Sequence, residues 1–321
     1  MKSLYLFKEE TTINIERKIK KMKEQIKAHV AILIQVSIIG LSYLFVKEGL
    51  GYADPMTQLS HRFIIASIGI WLLRLIVPHN KLLTKEVIKD LLPLGIFYPV
   101  LFFSLQTLSL SYITTLEAGI ISATIPIIIM ILAIVMLKEK PNAKQKLVVI
   151  LSFCAVIYIN LKGQGTAVEF SLFGTSLMFL SALSSGLYTI TAKKVSVKYE
   201  TIDMTTFMLT FGMIVFTTIS FLQHILGFTK TSYFEPLVHS PYMIAVLYLG
   251  LLSSLGSAFL SNYAIHHVNA STIGLFSNLS PVITILAGIL ILGEPIYSYQ
   301  IIGILIILGS IIGLNVGQLR K

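Results

Sequence analysis

Two charged side chains stand inside apolar stretches where charge is expensive. Arg62 lies in "SHRFIIASIGIWLL" and Glu117 in "TTLEAGIISATIP". A formal charge at membrane depth is a candidate functional group by default. A half-buried carboxylate such as Glu117 can take up and release a proton, so Glu117 and Arg62 are the candidate coupling pair. The structural alternative is an Arg62–Glu117 ion pair, or side chains that reach the interface. Two prolines, Pro126 and Pro281, fall near the middle of apolar runs. Each removes a backbone donor and bends a helix, which makes them candidate hinges. Glu139 and Glu294 stand where one apolar run ends and the next begins. A carboxylate there favours the dipole of the following helix, a structural role.

The remaining candidates are polar and aromatic groups deep in apolar runs. They are Ser42, Tyr43, Tyr98, Phe102, Gln106, Ser122, Tyr188, Ser257, Asn262, Tyr263, Ser277 and Asn278. Tyr98, Phe102 and Gln106 recur every four residues and so share a helical face. Such a face offers stacking and hydrogen bonds to a small polar solute. The same groups serve equally well as hydrogen bonds between helices. No HExxH, Walker A or GxSxG sequence is present, and these are the patterns that would carry metalloprotease, nucleotide or serine-hydrolase chemistry. His266 and His267 have no acidic or cysteine cluster beside them, so neither a metal nor a cofactor is expected.

The elements that must position these groups follow from composition. The chain has 321 residues, 55% hydrophobic and 12% charged, where soluble domains carry about 25% charged residues. The single Cys154 lies in an apolar run and excludes an intrachain disulfide. A spanning helix needs about 20 apolar residues. Ten such runs are legible, at 28–47, 57–77, 91–110, 115–137, 146–161, 171–191, 203–223, 241–264, 271–292 and 297–317. With the N-terminus placed in the cytoplasm, 21 of the 25 Lys and Arg residues fall on the cytoplasmic side; Lys47, Arg62, Lys162 and Lys230 fall on the other. That bias predicts ten spans with both termini inside, and it argues against nucleic acid as the partner of the net charge of +10. Residues 1–27 are charged and predict a cytoplasmic N-terminal segment.

The sequence also repeats itself. Pro126 and Pro281, Glu139 and Glu294, and Gly119 and Gly274 are each 155 residues apart. A weaker match relates Gly40, Leu41 and Lys47 to Gly186, Leu187 and Lys193 with an offset of 146. Two copies follow, 28–161 and 171–317. Each holds an odd number of spans, so the second copy is inverted. The expected fold is an all-α integral membrane protein, ten transmembrane helices as a 5+5 inverted-topology repeat. That architecture is common among secondary carriers, with the solute site between the copies.

At these residues the chain resembles the drug/metabolite transporter superfamily, specifically EamA-type permeases. The likeness rests on the ten-span layout, the paired proline-to-glutamate ends of the fourth and ninth spans, and "GLSYLFVKEGL" followed by "ADPMTQLSHRF" with its Arg-Phe pair. The first copy departs from the pattern, with Lys138-Glu139 in place of Gly-Glu. The resemblance implies a central cavity, alternating access, and export or exchange of a small metabolite such as an amino acid. The implied partners are membrane lipid, a small-molecule solute and a proton or ion. A ladder of Gly309, Gly313 and Gly317 serves either internal packing or a homodimer. The alternative reading is a signalling or structural membrane protein, or a membrane-embedded enzyme.

Overall fold

In a computed structural model, the described residues are 2–76, 84–138, 171–229, 231–268, 279–299 and 301–306, with isolated positions between 143 and 162 and at 273, 276 and 309; side chains are described from residue 22 onward. The fifth span expected at 146–161, together with Glu139, Ser277, Asn278, Gly313 and Gly317, lies wholly or mostly outside these residues.

The described elements are helical. They are α1 (Lys2–Gly49), α2 (Pro55–Ile76), α3 (Lys85–Gly95), a π-helical segment (Ile96–Leu101), α4 (Phe102–Ser109), α5 (Thr115–Ser122), α6 (Ile125–Leu137), α7 (Leu172–Val195), α8 (Thr201–Ile225), a 3₁₀ turn (Glu235–Val238), α9 (Ser240–Leu247), a second π-helical segment (Tyr248–Gly256), α10 (Ser257–His267) and α11 (Leu279–Leu290). Among the described residues, seven helical stretches are long and apolar enough to cross a bilayer, and Leu279–Leu290 is a shorter apolar helix. α1 passes the 27/28 boundary without a break, because neither glycine nor proline interrupts the sequence before Gly40.

Polarity is distributed as lipid requires. Thr57, Ser60, Arg62, Thr205, Thr206 and Asn262 are fully buried, whereas Val135, Phe221 and Leu290 are exposed. Water would drive those apolar groups inward; hydrocarbon tolerates them and leaves polar groups to bond between helices.

Helix starts are set by local chemistry. Thr84 caps α3 by accepting from the Val87 N–H, and Ser171 caps α7 by accepting from Gly174. Thr114 and Glu117 form a reciprocal capping box at α5. Two spans carry π segments in mid-course, and the first is broken there. In the first, Pro99 has no N–H to give and Tyr98 leaves helical geometry (φ −146°, ψ 110°). The loosened carbonyls find partners on α7: Ser184 donates to Phe97 O at 2.9 Å and Ser181 to Phe102 O at 2.8 Å. That is how irregular backbone survives at membrane depth.

Helices approach closely at two glycines. A Cβ on Gly40 would lie 2.7 Å from the Ile283 Cβ, and one on Gly186 would lie 2.8 Å from Ile128 Cγ2. α1 therefore packs on α11 through Gly40, and α7 packs on α6 through Gly186. Gly40 and Gly186 are the pair related by 146 residues, and Ile128 and Ile283 are 155 apart.

Candidate functional site

A cavity of about 70 Å³ lies where α1, the first π segment, α4, α5, α6, α7, α10 and α11 converge. Tyr43, Tyr98, Phe102, Ser122, Tyr188 and Pro281, all singled out in the sequence, line it. Tyr98 is the centre of an aromatic stack, its ring centroid 4.7 Å from Tyr188 and 5.0 Å from Phe102. Tyr43 Oη and Ser122 Oγ are 2.7 Å apart, and Ser122 Oγ also donates to Ala118 O at 2.8 Å. Tyr43 is therefore the donor in that pair. Tyr188 Oη donates to Asn262 Oδ1 at 3.0 Å, and Asn262 Nδ2 donates to Thr205 Oγ1 at 2.9 Å. The walls thus offer ring faces and hydroxyls held in place by a second layer of bonds.

The other predicted residues stand elsewhere. Asn262 is behind Tyr188. Ser42 donates to Ile39 O at 2.7 Å on its own helix, and Ser257 donates back to Ser253 O. Gln106 is buried outside the lining, its Oε1 without a partner. Of the three residues Tyr98, Phe102 and Gln106, only Tyr98 and Phe102 line the cavity. Tyr263 turns to α1, donating to Glu24 Oε2 at 2.7 Å. Gln35, Ser185, Thr189, Ser261 and Ser280 complete the polar lining. Gln35 was findable as the one amide in "AILIQVSII", and Ser185 and Thr189 flank Tyr188 at helical spacing.

Of Pro126 and Pro281, only Pro281 lines the cavity among the described residues. Pro126 starts α6 just after the span breaks at Ala123–Thr124, while Pro281 lies within α11 and faces the cavity. Glu117 takes part in its own helix cap: Oε2 accepts from Thr114 N at 2.9 Å. Arg62 is bound to Ser254 and Ser253 of the second π segment, and no Arg62–Glu117 pair occurs among the described ion pairs. Glu294 caps a helix other than the one following it. Gly293, at φ +65°, turns the chain so that the Glu294 carboxylate accepts from Thr115 N at 2.9 Å and Leu116 N at 2.8 Å, at the start of α5.

Sequence reasoning used Lys47 and Lys193 for orientation and repeat, but their contacts went unforeseen. Lys47 Nζ donates to Leu110 O at 2.7 Å and Ile113 O at 3.0 Å, beyond the end of α4. Lys193 Nζ donates to Ile265 O at 2.7 Å and Val268 O at 2.9 Å, at the end of α10. Each lysine closes the C-terminus of a span that carries a π segment. The two caps are at opposite ends of the spanning part of α1, Met22–Gly49, since Glu24 meets Tyr263 near Ile265 while Lys47 itself meets Leu110.

Apolar spanning helices, a polar interior and a central cavity define a multi-pass membrane protein, and comparison with known proteins makes it a transporter. The chain is 37% identical over 299 residues to the uncharacterized transporter YcxC of Bacillus subtilis, covering 93% of this chain and 96% of that one. It is 28% identical to the uncharacterized transporter YetK of the same organism, covering 90% and 87% of the two chains. A solved crystal structure superposes with a TM-score of 0.62 at 18% identity, covering 88% of this chain and 96% of that one, which speaks for the fold alone. The EamA-like transporter family matches twice, at residues 26–161 and 172–316. The chain belongs to the EamA-like transporter family.

Proposed function

We propose that the chain is a secondary carrier of ten spans, built from two oppositely oriented five-helix copies (28–161 and 171–317) with both termini in the cytoplasm. It exports or exchanges a small metabolite, such as an amino acid, by alternating access to the cavity around Tyr98 and Tyr188. The observation that carries this reading is the mirrored pair of lysine caps. Lys47 and Lys193 differ by 146 residues, and their carbonyl partners Leu110 and Ile265, Ile113 and Val268, differ by 155. The glycine contacts Gly40–Ile283 and Gly186–Ile128 repeat the same exchange between copies. The double family match falls on the same two stretches. If the copies trade conformations, the cavity opens at one end and then at the other.

In this reading Pro126 and Pro281 are the points where the fourth and ninth spans bend, and Glu117 is the coupling carboxylate. Protonation would remove the acceptor charge that the capping box supplies to Thr114. The test is flux from proteoliposomes loaded with a mixture of labelled amino acids and small organic acids, against protein-free vesicles. We expect protein-dependent efflux of at least one component, with Glu117→Gln abolishing its response to a pH gradient. No protein-dependent flux under any gradient would refute the carrier reading, and an unchanged pH response in Glu117→Gln would remove the coupling role.

A further inference from the structure

The described residues include two fully or nearly buried arginines, and they are satisfied differently. Arg74 pairs with a carboxylate: its Nη2 is 3.0 Å from Asp203 Oδ1, and both side chains are buried. Arg62 has no exposed surface, and the partners it has among the described residues are neutral. Nε donates to Ser254 Oγ at 2.7 Å and Nη2 to Ser253 Oγ at 2.9 Å, and the guanidinium carbon stands 4.0 Å from the Phe103 ring centroid. Nη1 is buried with no partner. No acidic side chain among the described residues pairs with it.

A guanidinium keeps its charge in any protein setting. Two hydroxyl dipoles and a ring face compensate it only in part, and an uncompensated charge in a low-dielectric interior is costly. The charge also stands one side chain behind the cavity. Phe103, on which it stacks, packs at 4.8 Å against Tyr98, and Tyr98 lines the cavity. Among the described residues, the cavity walls contain no ionisable acid or base other than tyrosine. Arg62 therefore adds a positive field behind this wall, and at low dielectric that field is weakly screened.

We infer that the transported solute carries a carboxylate or comparable anionic group, and that Arg62 supplies the compensating charge for it. This rests on the carrier reading above and narrows its substrate class. The aromatic stack of Tyr98, Phe102 and Tyr188 would take an apolar portion of the same solute, and the hydroxyls would take its polar hydrogens.

The test is thermal stability of the purified full chain in detergent, in chloride-free buffer, with three matched probes at millimolar concentration. These are N-acetylphenylalanine (anionic), N-acetylphenylalanine amide (neutral) and phenylalanine amide (cationic). In the wild type the anion should bind about thirtyfold more tightly than the neutral probe, the low end of what a buried charge pair contributes, and the cation should give no shift. Arg62→Lys should keep the ranking. Arg62→Gln should bring the anion-to-neutral ratio to about one without a large drop in Tm.

Equal shifts across the series, or no shift from any probe, would overturn the inference. So would an Arg62→Gln protein that melts far below wild type yet keeps the ranking, which would make Arg62 a brace between helices. Stabilisation by added chloride that is lost in Arg62→Gln would assign the charge to an inorganic ion instead. Proteoliposome flux separates this from the carrier reading. An intact ranking without flux sinks the carrier and leaves the anion site; flux with a flat ranking does the reverse.

Discussion

The two ends of the spanning part of α1, Met22–Gly49, use one backbone solution with different reinforcement. At the Lys47 end, an ammonium caps the chain leaving α4, and the Glu294 carboxylate caps the start of α5 beside it. At the Lys193 end, an ammonium caps α10 in the same way. That end is also tied by ion pairs: Arg74–Asp203 joins α2 to α8, and Lys198 joins the α7–α8 turn to Glu86 and Asp90 of α3. Charge on a helix terminus holds backbone that is already in place. An ion pair between helices holds the helices to each other, and it must break if they separate. The Lys193 end is thus the one whose opening requires a buried charge pair to part.

The largest effect should come from that pair. Asp203→Ala leaves the Arg74 guanidinium buried without its carboxylate, and the expected loss is about 3–5 kcal/mol of unfolding stability. Thermal unfolding in detergent measures it. Replacing both partners with apolar residues, Arg74→Met with Asp203→Leu, should recover most of the loss, because no charge is then stranded. A single mutant as stable as wild type would remove the contrast between the two ends.

The lysine caps come next and test what the ends share. Lys47→Met and Lys193→Met each strip a charged donor from two carbonyls at a helix terminus. Each should lower stability by about 1.5–3 kcal/mol, the range for hydrogen bonds to charged groups. The mirrored geometry predicts that the two losses agree to within about 1 kcal/mol, the ordinary scatter of such values. If one substitution were silent and the other severe, the likeness of the two caps would be geometric only.

These contacts mark the boundary of what the sequence discloses. The positions of the seven described spans were legible because about 20 apolar residues leave little choice in lipid. The pairing of Gly40 with Gly186 and Lys47 with Lys193 was legible as spacing. What each lysine touches was hidden, since its partners are backbone carbonyls 63 to 75 residues away along the chain, and carbonyls have no letter in the sequence. The π segments were hidden for another reason. A run such as "AVLYLGLLSSLGSAFL" is apolar apart from small hydroxyls, so a change from 3.6 residues per turn leaves little periodic trace. Glu294 read as a cap for the helix that follows it; the left-handed turn at Gly293 sends it to α5 instead. For the cavity, residue type was informative and depth was not. Tyr43, Tyr98 and Tyr188 line it, while Tyr263 turns away to Glu24.

The smallest effect belongs to Lys198. Its ammonium is 2.6 Å from Asp90 Oδ2 and 3.0 Å from Glu86 Oε1, but all three groups are substantially open to solvent. Hydrogen bonds from Lys198 to Asp90, then to Glu86, hold the Lys198 pKa above the usual lysine value. The sign follows: a raised folded-state pKa gives a contribution fully present below the unfolded lysine pKa, lost only as the pH climbs through the folded value. Stability should therefore be flat across neutral pH as far as this group is concerned, with any loss confined to strongly alkaline buffer. Solvent and salt screen such a pair, so Lys198→Met should shift Tm less than either lysine cap, and the shift should shrink in high salt. Melting curves at low and high salt measure both. A salt-independent drop as large as that of Asp203→Ala would mean that the exposed network, and not the buried pair, holds this end of the molecule together.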